Sequence, residues 1–200
     1  MIVHILSNLH NEFMPFVPSV CADVVILAGD IDVGTRGIQW AKSAFSSPVL
    51  YVPGNHEYYG GHLERTLQKM RAASGGNVRL LDCDEVVTGG VRFLGATGWT
   101  DYSATGNVPL AAWDAQQTMR DFKKIRTASD YRRTRPEHFS GLSQQAKRWL
   151  RERLAEPFDG PTVIVSHHAP SMLSLAGSQD AGSHLDAAYA NRWEDLMGDD

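Results

Sequence analysis

VLYVPGNHE, residues 49 to 57, joins a short apolar run to a cluster of polar side chains. The run from residue 49 to 52 is typical of a buried parallel strand, because it is short, apolar and partly β-branched. It ends in Gly54-Asn55-His56-Glu57. In open α/β sheets, ligands bind beyond the carboxyl ends of the strands. The stretch therefore predicts a strand whose tip presents an amide and an imidazole to a site.

The same arrangement occurs after three more apolar runs, at residues 2–6, 24–28 and 162–165. These runs are followed respectively by Asn8 and His10, by Gly29-Asp30, and by His167-His168. Each residue alone has an ordinary explanation, such as a helix cap, a turn or a packed histidine. Four strand tips that carry Asn, His, Asp and His together are hard to ascribe to coincidence, so we expect one shared site.

The segments between these runs predict an α/β fold. Apolar residues recur at helical spacing over residues 38–45 and 63–70, which predicts strand–helix–strand units with right-handed connections. Gly89-Gly90 lies between strand-like residues 85–88 and 91–95 and predicts an antiparallel hairpin. Further predicted elements are a strand at 78–81, a loosely helical stretch at 108–132 and a helix at 142–155.

Bulk composition is that of an ordinary globular chain, and we expect residues 1–200 to form a single domain. A net charge of −4 gives no overall argument for nucleic acid or for an anionic membrane. Cys21 and Cys83 are expected to be free thiols. No signal peptide or membrane span is predicted, so the cytoplasm is the expected location.

One basic stretch stands apart from this balance. Residues 120–135 contain seven Lys or Arg side chains against two Asp. Such a stretch either helps to hold an anionic substrate or forms a solvated helix face. The sequence leaves both readings open, and nucleic-acid binding would rest on this stretch alone.

The residue types at the strand tips match a site for two divalent metal ions. Asp30 can bridge two metals, and imidazole and amide ligands favour Zn, Mn or Fe. Two such ions can hold a bridging hydroxide and a phosphoryl group for in-line displacement. His56, next to the candidate ligand Asn55, could then protonate the leaving oxygen.

Taken together, these motifs resemble those of the calcineurin-like metallophosphoesterases, with matching order, spacing and strand context from residue 1 to about 170. The resemblance implies a four-layer α/β/β/α sandwich that hydrolyses phosphoesters, either small molecules or phosphorylated macromolecules. The resemblance also implies a role for each candidate residue: Asp30 as the bridging ligand, Asn55 and His167 on one metal, His10 on the other, His56 as the acid, and His168 beside the metals as a substrate-binding residue. GATGWTDY, residues 95–102, is similar to a loop of the bacterial members.

The sequence departs from this family in two places. The first motif has Asn8 where the family has Asp, so this ligand brings no negative charge to offset the desolvation of a dication. The closing Gly-His-x-His motif of the family is absent, and after His168 the only histidine is His184. We therefore expect a domain that lacks its C-terminal strands, an under-occupied metal site, and self-association through the exposed C-terminal region.

Two functions of different classes follow. The first is a dinuclear phosphoesterase that is impaired in this form. The second is a catalytically inactive binding protein that keeps the phosphoesterase fold. No G-x-S-x-G elbow or P-loop is present, and HEYYG at residues 56–60 lacks the second histidine of the zinc-protease motif HExxH.

Overall fold

Two β-sheets face each other in the computed structural model, which describes residues 1–177 and 182–198. The strands are β1 (Val3–Leu6), β2 (Val24–Ala28), β3 (Val49–Val52), β4 (Val78–Leu80), β5 (Asp84–Thr88), β6 (Val91–Ala96), β7 (Arg126–Thr127), β8 (Arg132–Arg133) and β9 (Thr162–Ser166). The first sheet has the order β1-β2-β3-β4 and is parallel throughout. The second has the order β5-β6-β9, with β5 and β6 antiparallel and β9 parallel to β6.

Helices connect these strands. They are α1 (Arg36–Ala44), α2 (Leu63–Ala73), α3 (Val108–Thr118), α4 (Asp121–Lys124) and α5 (Pro136–Ala155), and short 3₁₀ turns occur at His56–Tyr58, Met172–Leu175, His184–Ala188 and Glu194–Leu196. The predicted strands, the hairpin at Gly89-Gly90 and the two helices between the first strands are confirmed to within three residues at each end.

Four layers follow from the way β2 and β3 bury both faces. Val25 and Tyr51 pack with Ile38 of α1 and Met70 of α2 on one side of the first sheet. Alternate residues of the same strands, such as Ile26, face Phe93 and Val165 of the second sheet. Leu94 on the far side of the second sheet packs against Ala146 and Leu150 of α5. Because both faces of β2 and β3 are covered, their sequences are continuously apolar, and the predicted α/β/β/α sandwich is confirmed.

The segment between β6 and β9 differs most from the sequence prediction. Helix α3 ends at Thr118 and α4 at Lys124, after which β7 and β8 form a small hairpin where helix was predicted up to residue 132. Ala128 and Tyr131 adopt left-handed backbone angles, with φ of 61° and 57°, which no α-helix continues through. Helix α5 begins at Pro136, six residues before the predicted start, because proline suits the first position of a helix.

The edge strands leave apolar side chains exposed. Among the described residues, β1 is hydrogen-bonded only to β2, and β9 only to β6. Ile5 on β1 is 64% exposed and Val163 on β9 is 37% exposed, whereas the residues of the neighbouring strand β2 are nearly all buried. Near the C-terminus, Trp193 and Leu196 are instead packed into the cluster around α5.

Neither Cys21 nor Cys83 is in a disulfide. Over residues 1–177 and 182–198, no helix combines the length and the apolar character needed to cross a bilayer.

Candidate metal centre

Strands from both sheets end at one cavity of about 440 Å³. Its lining includes six of the seven residues predicted from the sequence: Asn8, Asp30, Asn55, His56, His167 and His168. The seventh, His10, lies at its margin, with Nε2 4.0 Å from Oδ2 of Asp30. The strand tips therefore bring all seven predicted residues into one region.

Backbone conformation aims three of these side chains. Asn8, His10 and Asp30 have φ of 54°, 48° and 56°, in the left-handed region that few residues other than glycine adopt. Asn and Asp tolerate this region best among residues that carry a side chain. Strained backbone of this kind is concentrated at functional sites, and three of the predicted ligands have it.

Two glycines allow the loops to approach closely. A Cβ at Gly29 would clash with the ring of His167 and would lie 2.8 Å from the Cα of Gly54. A Cβ at Gly54 would clash with the carboxylate of Asp30 and would lie 2.6 Å from its backbone nitrogen. Gly29 and Gly54 are thus the points where the loops after β2 and β3 touch. Any larger residue at either position would push Asp30 and His167 apart.

Asp30 is the centre of the group. Its Oδ1 lies 3.5 Å from Nε2 of His167 and accepts a hydrogen bond of 2.9 Å from the backbone N–H of His56. Its Oδ2 faces His10 on the other side. Ligand atoms of His10, Asp30 and His56 all lie within 4.8 Å of one another. The carboxylate, which is 4% exposed, therefore presents one oxygen to each of two imidazoles.

The contacts of His167 and Asn55 test whether these residues suit a cation. The Nδ1–H of His167 donates to the carbonyl of Ala28 at 3.0 Å, which leaves the lone pair of Nε2 pointing at Oδ1 of Asn55, 3.1 Å away. The amide nitrogen of Asn55 is engaged with Asp121 at 2.7 Å, so its oxygen is the atom that faces the imidazole. Nε2 of His167, Oδ1 of Asn55 and the Asp30 carboxylate therefore converge on one point. This donor set fits a divalent metal ion.

Asp121 holds the amide of Asn55. It is 2% exposed, reaches the site from α4, and its second oxygen lies 3.5 Å from the hydroxyl of Tyr59. Burial raises the pKa of Asp121, while the hydrogen bond from Asn55 lowers it. Because one oxygen of Asp121 accepts from the amide nitrogen, the amide oxygen of Asn55 stays turned toward His167.

Glu57 ties together the loops that follow β2 and β3. It is fully buried and accepts four hydrogen bonds, from the backbone N–H groups of Asp30, Ile31 and Gly54 and from the hydroxyl of Tyr51. These bonds are 2.8 to 3.0 Å long. Burial, together with the nearby charge of Asp30, raises the pKa of Glu57. The last residue of GNHE therefore acts as a structural joint that positions Asp30 and Gly54.

Glu12 lies between His10 and His56. Its Oε1 is 3.0 Å from Nδ1 of His56 and 3.3 Å from Nδ1 of His10, so both rings direct Nδ1–H at one carboxylate and turn Nε2 away from it. Burial acts to raise the pKa of Glu12, but hydrogen bonds from His56 and His10 bring it below its ordinary value. The ring of His56 also stacks on Tyr59, with centroids 4.1 Å apart. Glu12 and Tyr59 together fix the orientation of His56.

Asn8 and His168 occupy different surroundings. Asn8 is exposed and its amide nitrogen donates to the hydroxyl of Ser7 at 2.8 Å, so its oxygen is the atom left to bind a cation. His168 is buried beside the Trp99 ring, with Nδ1 3.3 Å from the carbonyl of Thr97. Burial and the neighbouring His167 lower the pKa of His168 to about 3, so it is neutral over the physiological range.

Three carboxylates near the site, of which Glu57 and Asp121 are buried and Glu12 is partly buried, were missed by sequence reasoning. Glu57 stands in the quoted motif, and Glu12 follows His10 by two residues, so both carried a positional signal that was not used. Asp121 is 66 residues from Asn55 in a stretch interpreted only by its positive charge. No local pattern in the sequence pointed to it.

The sandwich and the His, Asp and Asn side chains at its strand tips are those of the metal-dependent phosphoesterase class. A family model described as calcineurin-like phosphoesterase matches residues 4–196, and the chain belongs to this family. A search of the curated proteins finds no match to the sequence. Among solved structures, the phosphopantetheinyl hydrolase of Mycobacterium tuberculosis superposes with a TM-score of 0.66 at 16% identity, over 96% of this chain and 76% of that one. This likeness shows the shared fold.

Proposed function

We propose that the protein hydrolyses phosphoesters at a centre of two divalent metal ions. Water would supply the oxygen that forms the new bond to phosphorus, and the bond from phosphorus to the alcohol oxygen would break, which releases the alcohol. The observation that carries the proposal is the position of Asp30, whose two oxygens face His167 on one side and His10 on the other. Family membership supports the same reaction class.

The donor atoms fall into two groups around Asp30. Asn55 and His167 would hold one ion together with Oδ1 of Asp30, and His10 with Asn8 would hold the other together with Oδ2. Mn, Fe and Zn suit this mixture of imidazole, amide and carboxylate ligands. When bound, such ions supply positive charge to the phosphoryl oxygens and make a nucleophile available near neutral pH.

His56 is the proposed acid. Glu12 accepts from Nδ1 and so orients the ring with Nε2 turned away from Glu12, where an Nε2–H could donate to the leaving alcohol oxygen. Stacking on Tyr59 holds the ring in this orientation before substrate arrives. His168, which lines the cavity as a neutral ring, is the proposed substrate-binding residue.

We further propose that the ion on the His10 side binds weakly and that the protein therefore turns over slowly. Asn8 contributes an oxygen without the negative charge that stabilises a bound dication. The other group of ligands includes Asn55, His167 and the carboxylate of Asp30, with Asn55 held by Asp121. A protein that keeps the fold and binds phosphorylated ligands without turnover is the second candidate function, favoured by the same substitution.

Bound metal, measured by elemental mass spectrometry after loading with Mn²⁺ or Zn²⁺ and desalting, tests the proposal. We expect one tightly held ion per chain, a second ion in Asn8→Asp, and loss of both in Asp30→Asn. Hydrolysis of p-nitrophenyl phosphate and of bis(p-nitrophenyl) phosphate then separates monoesterase from diesterase activity. Metal binding without hydrolysis of either ester, including in Asn8→Asp, would favour the non-catalytic candidate.

We also propose self-association, at the edges of the two sheets rather than at the packed C-terminal residues. Unpaired strand edges with exposed apolar side chains, here Ile5 and Val163, tend to pair with other chains. Light scattering over a wide concentration range should show a mass above that of the monomer. Ile5→Lys should shift it to the monomer, and a wild-type chain that stays monomeric throughout would contradict the proposal.

A cytoplasmic location stays a prediction of the sequence.

A further inference from the structure

A second cavity of about 480 Å³ adjoins the candidate metal centre. His56, Tyr59 and Arg120 line both cavities, so the two meet at the proposed acid. The apolar part of the wall of this second cavity includes Phe13, whose side chain is 77% exposed, and Val33. Volumes of this size accommodate an organic ligand.

Five cationic side chains line the second cavity against a single carboxylate, that of Glu12. The five are Arg36, Arg120, Lys123, Lys124 and Arg126. Within the described part of the chain, Arg36 pairs with Asp32 at 2.7 Å, and no carboxylate pairs with the other four. Glu12 is engaged with His10 and His56. This concentration of positive charge occurs in a protein whose net charge is −4.

The structure divides the basic stretch that the sequence left open. Arg120, Lys123, Lys124 and Arg126 line the cavity, whereas Arg132 and Arg133 lie exposed on β8, outside both cavities. Arg126 donates to the carbonyls of Lys123 and Ile125, and the four cations have no carboxylate partner in the described part of the chain. Their mutual repulsion around one concave surface is unfavourable. Bound anionic charge would remove that repulsion.

Tyr59 connects the cationic wall to the proposed acid. One face of its ring stacks on His56 at 4.1 Å, and Nζ of Lys124 lies 5.1 Å from its centroid in a cation–π contact. The main chain supports the same corner, since the N–H of Gly60 donates to the carbonyl of Lys124 at 3.0 Å. α4 and the loop after β3 are thus joined where the two cavities meet, which fixes Lys124 relative to His56.

We infer that this second cavity binds a second phosphate group of the substrate, carried on the alcohol portion of the phosphoester. The inference rests on the proposed function, because the first cavity must hold the phosphate that is cleaved. The apolar wall at Phe13 and Val33 would contact the carbon skeleton between the two phosphates, and Lys123, Lys124 and Arg126 would hold the distal one. The preferred substrates are therefore organic bisphosphates rather than simple monophosphates.

The test compares adenosine 5′-monophosphate with adenosine 3′,5′-bisphosphate, using the Mn²⁺-loaded protein, phosphate release and chromatography of the products. The double variant Lys123→Gln/Lys124→Gln removes two charges from the cavity. Arg132→Gln/Arg133→Gln is the matched control, since it removes two charges from β8, near in sequence but outside both cavities. Circular dichroism verifies that each variant is folded.

We expect kcat/KM to be about tenfold higher for the bisphosphate, and expect the lysine variant to remove most of this preference through KM. The control should keep it, and raising the salt concentration should weaken it, because exposed charges are screened. Equal rates on both substrates, or equal losses in both variants, would overturn the inference.

Failure of the proposed function gives a different result. In that case neither nucleotide nor p-nitrophenyl phosphate is hydrolysed by any metal-loaded form. Calorimetric binding of adenosine 3′,5′-bisphosphate to the Mn²⁺-loaded protein then decides the question of the second phosphate separately. Affinity that falls about tenfold in the lysine variant but not in the control supports the inference, and absence of binding refutes it.

Discussion

Replacing Glu57 by Gln should destabilise the protein severely although the two side chains have nearly the same shape. Each oxygen of Glu57 accepts two hydrogen bonds: Oε2 from the N–H groups of Asp30 and Gly54, and Oε1 from the N–H of Ile31 and the hydroxyl of Tyr51. A glutamine has one acceptor oxygen, so its NH₂ group must face one of these pairs of donors. With its NH₂ facing Asp30 and Gly54, the amide loses two hydrogen bonds. With its NH₂ facing Ile31 and Tyr51, the N–H of Ile31 loses its acceptor and the Tyr51 hydroxyl must turn to accept instead of donating.

The magnitude follows from the charge and burial of the group. Hydrogen bonds to a charged acceptor contribute about 1.5–3 kcal/mol each, so losing one or two costs about 1.5–6 kcal/mol. Removal of a buried charge, whose desolvation raises the pKa of Glu57, offsets part of this loss. We expect the free energy of unfolding to fall by about 2–4 kcal/mol, a large share of the total for a domain of this size.

Urea unfolding followed by tryptophan fluorescence and circular dichroism measures this change. Glu137→Gln is the matched control, because Glu137 is exposed in the first turn of α5, and it should change stability by less than about 0.5 kcal/mol. Metal affinity should also fall in Glu57→Gln, since Asp30 loses its support. A loss below about 1 kcal/mol with unchanged metal binding would refute the role of Glu57 as the joint between the two loops.

Two further predictions concern side chains that touch the site. Asp121→Ala should weaken metal binding about 10- to 100-fold, because the amide of Asn55 loses its hydrogen-bond partner. Metal titration measures this, with Asp114→Ala as the control, since Asp114 is an acidic residue of α3 outside both cavities. Equal metal affinities of the two variants would contradict the prediction. Since the pKa of His168 is lowered to about 3 in the folded protein, its contribution to stability is complete above the ordinary value of 6.5 and is lost as the pH falls toward 3. As the pH falls from 6.5 toward 3, the free energy of unfolding of the wild type should therefore decrease by about 1.4 kcal/mol per pH unit more than that of His168→Asn. Parallel plots of unfolding free energy against pH would show that His168 is not held neutral.

The strand tips were predictable because they depend on local pattern alone. Residues 24–28 and 49–52 are continuously apolar and are followed at once by Gly-Asp and by Pro-Gly-Asn-His. The strand, its C-terminal end and the polar residues after it can therefore all be recognised within one short stretch of sequence. The convergence of these tips then follows from parallel pairing, which the register of β1, β2 and β3 confirms.

Asp121 could not be predicted in the same way. It lies in a segment whose position depends on tertiary packing, in which Phe122 and Ile125 bury themselves against Phe139 rather than continuing a helix. That packing, and not any motif, delivers Asp121 to the amide of Asn55 and the neighbouring lysines to the second cavity. The role of the basic stretch at residues 120–135 could not be predicted for the same reason, since charge alone does not distinguish the wall of a binding cavity from a solvated helix face.

The left-handed backbone at Asn8 has a consequence for how this site can change over time. At φ of 54°, the conformation admits few side chains other than glycine, and Asn and Asp are the two best suited that also carry a ligand oxygen. An exchange between them alters one unit of charge beside the cavity and leaves the chain path intact. A single reversible substitution between Asn and Asp at position 8 can therefore raise or lower the strength of metal binding. The stability of the fold stays the same.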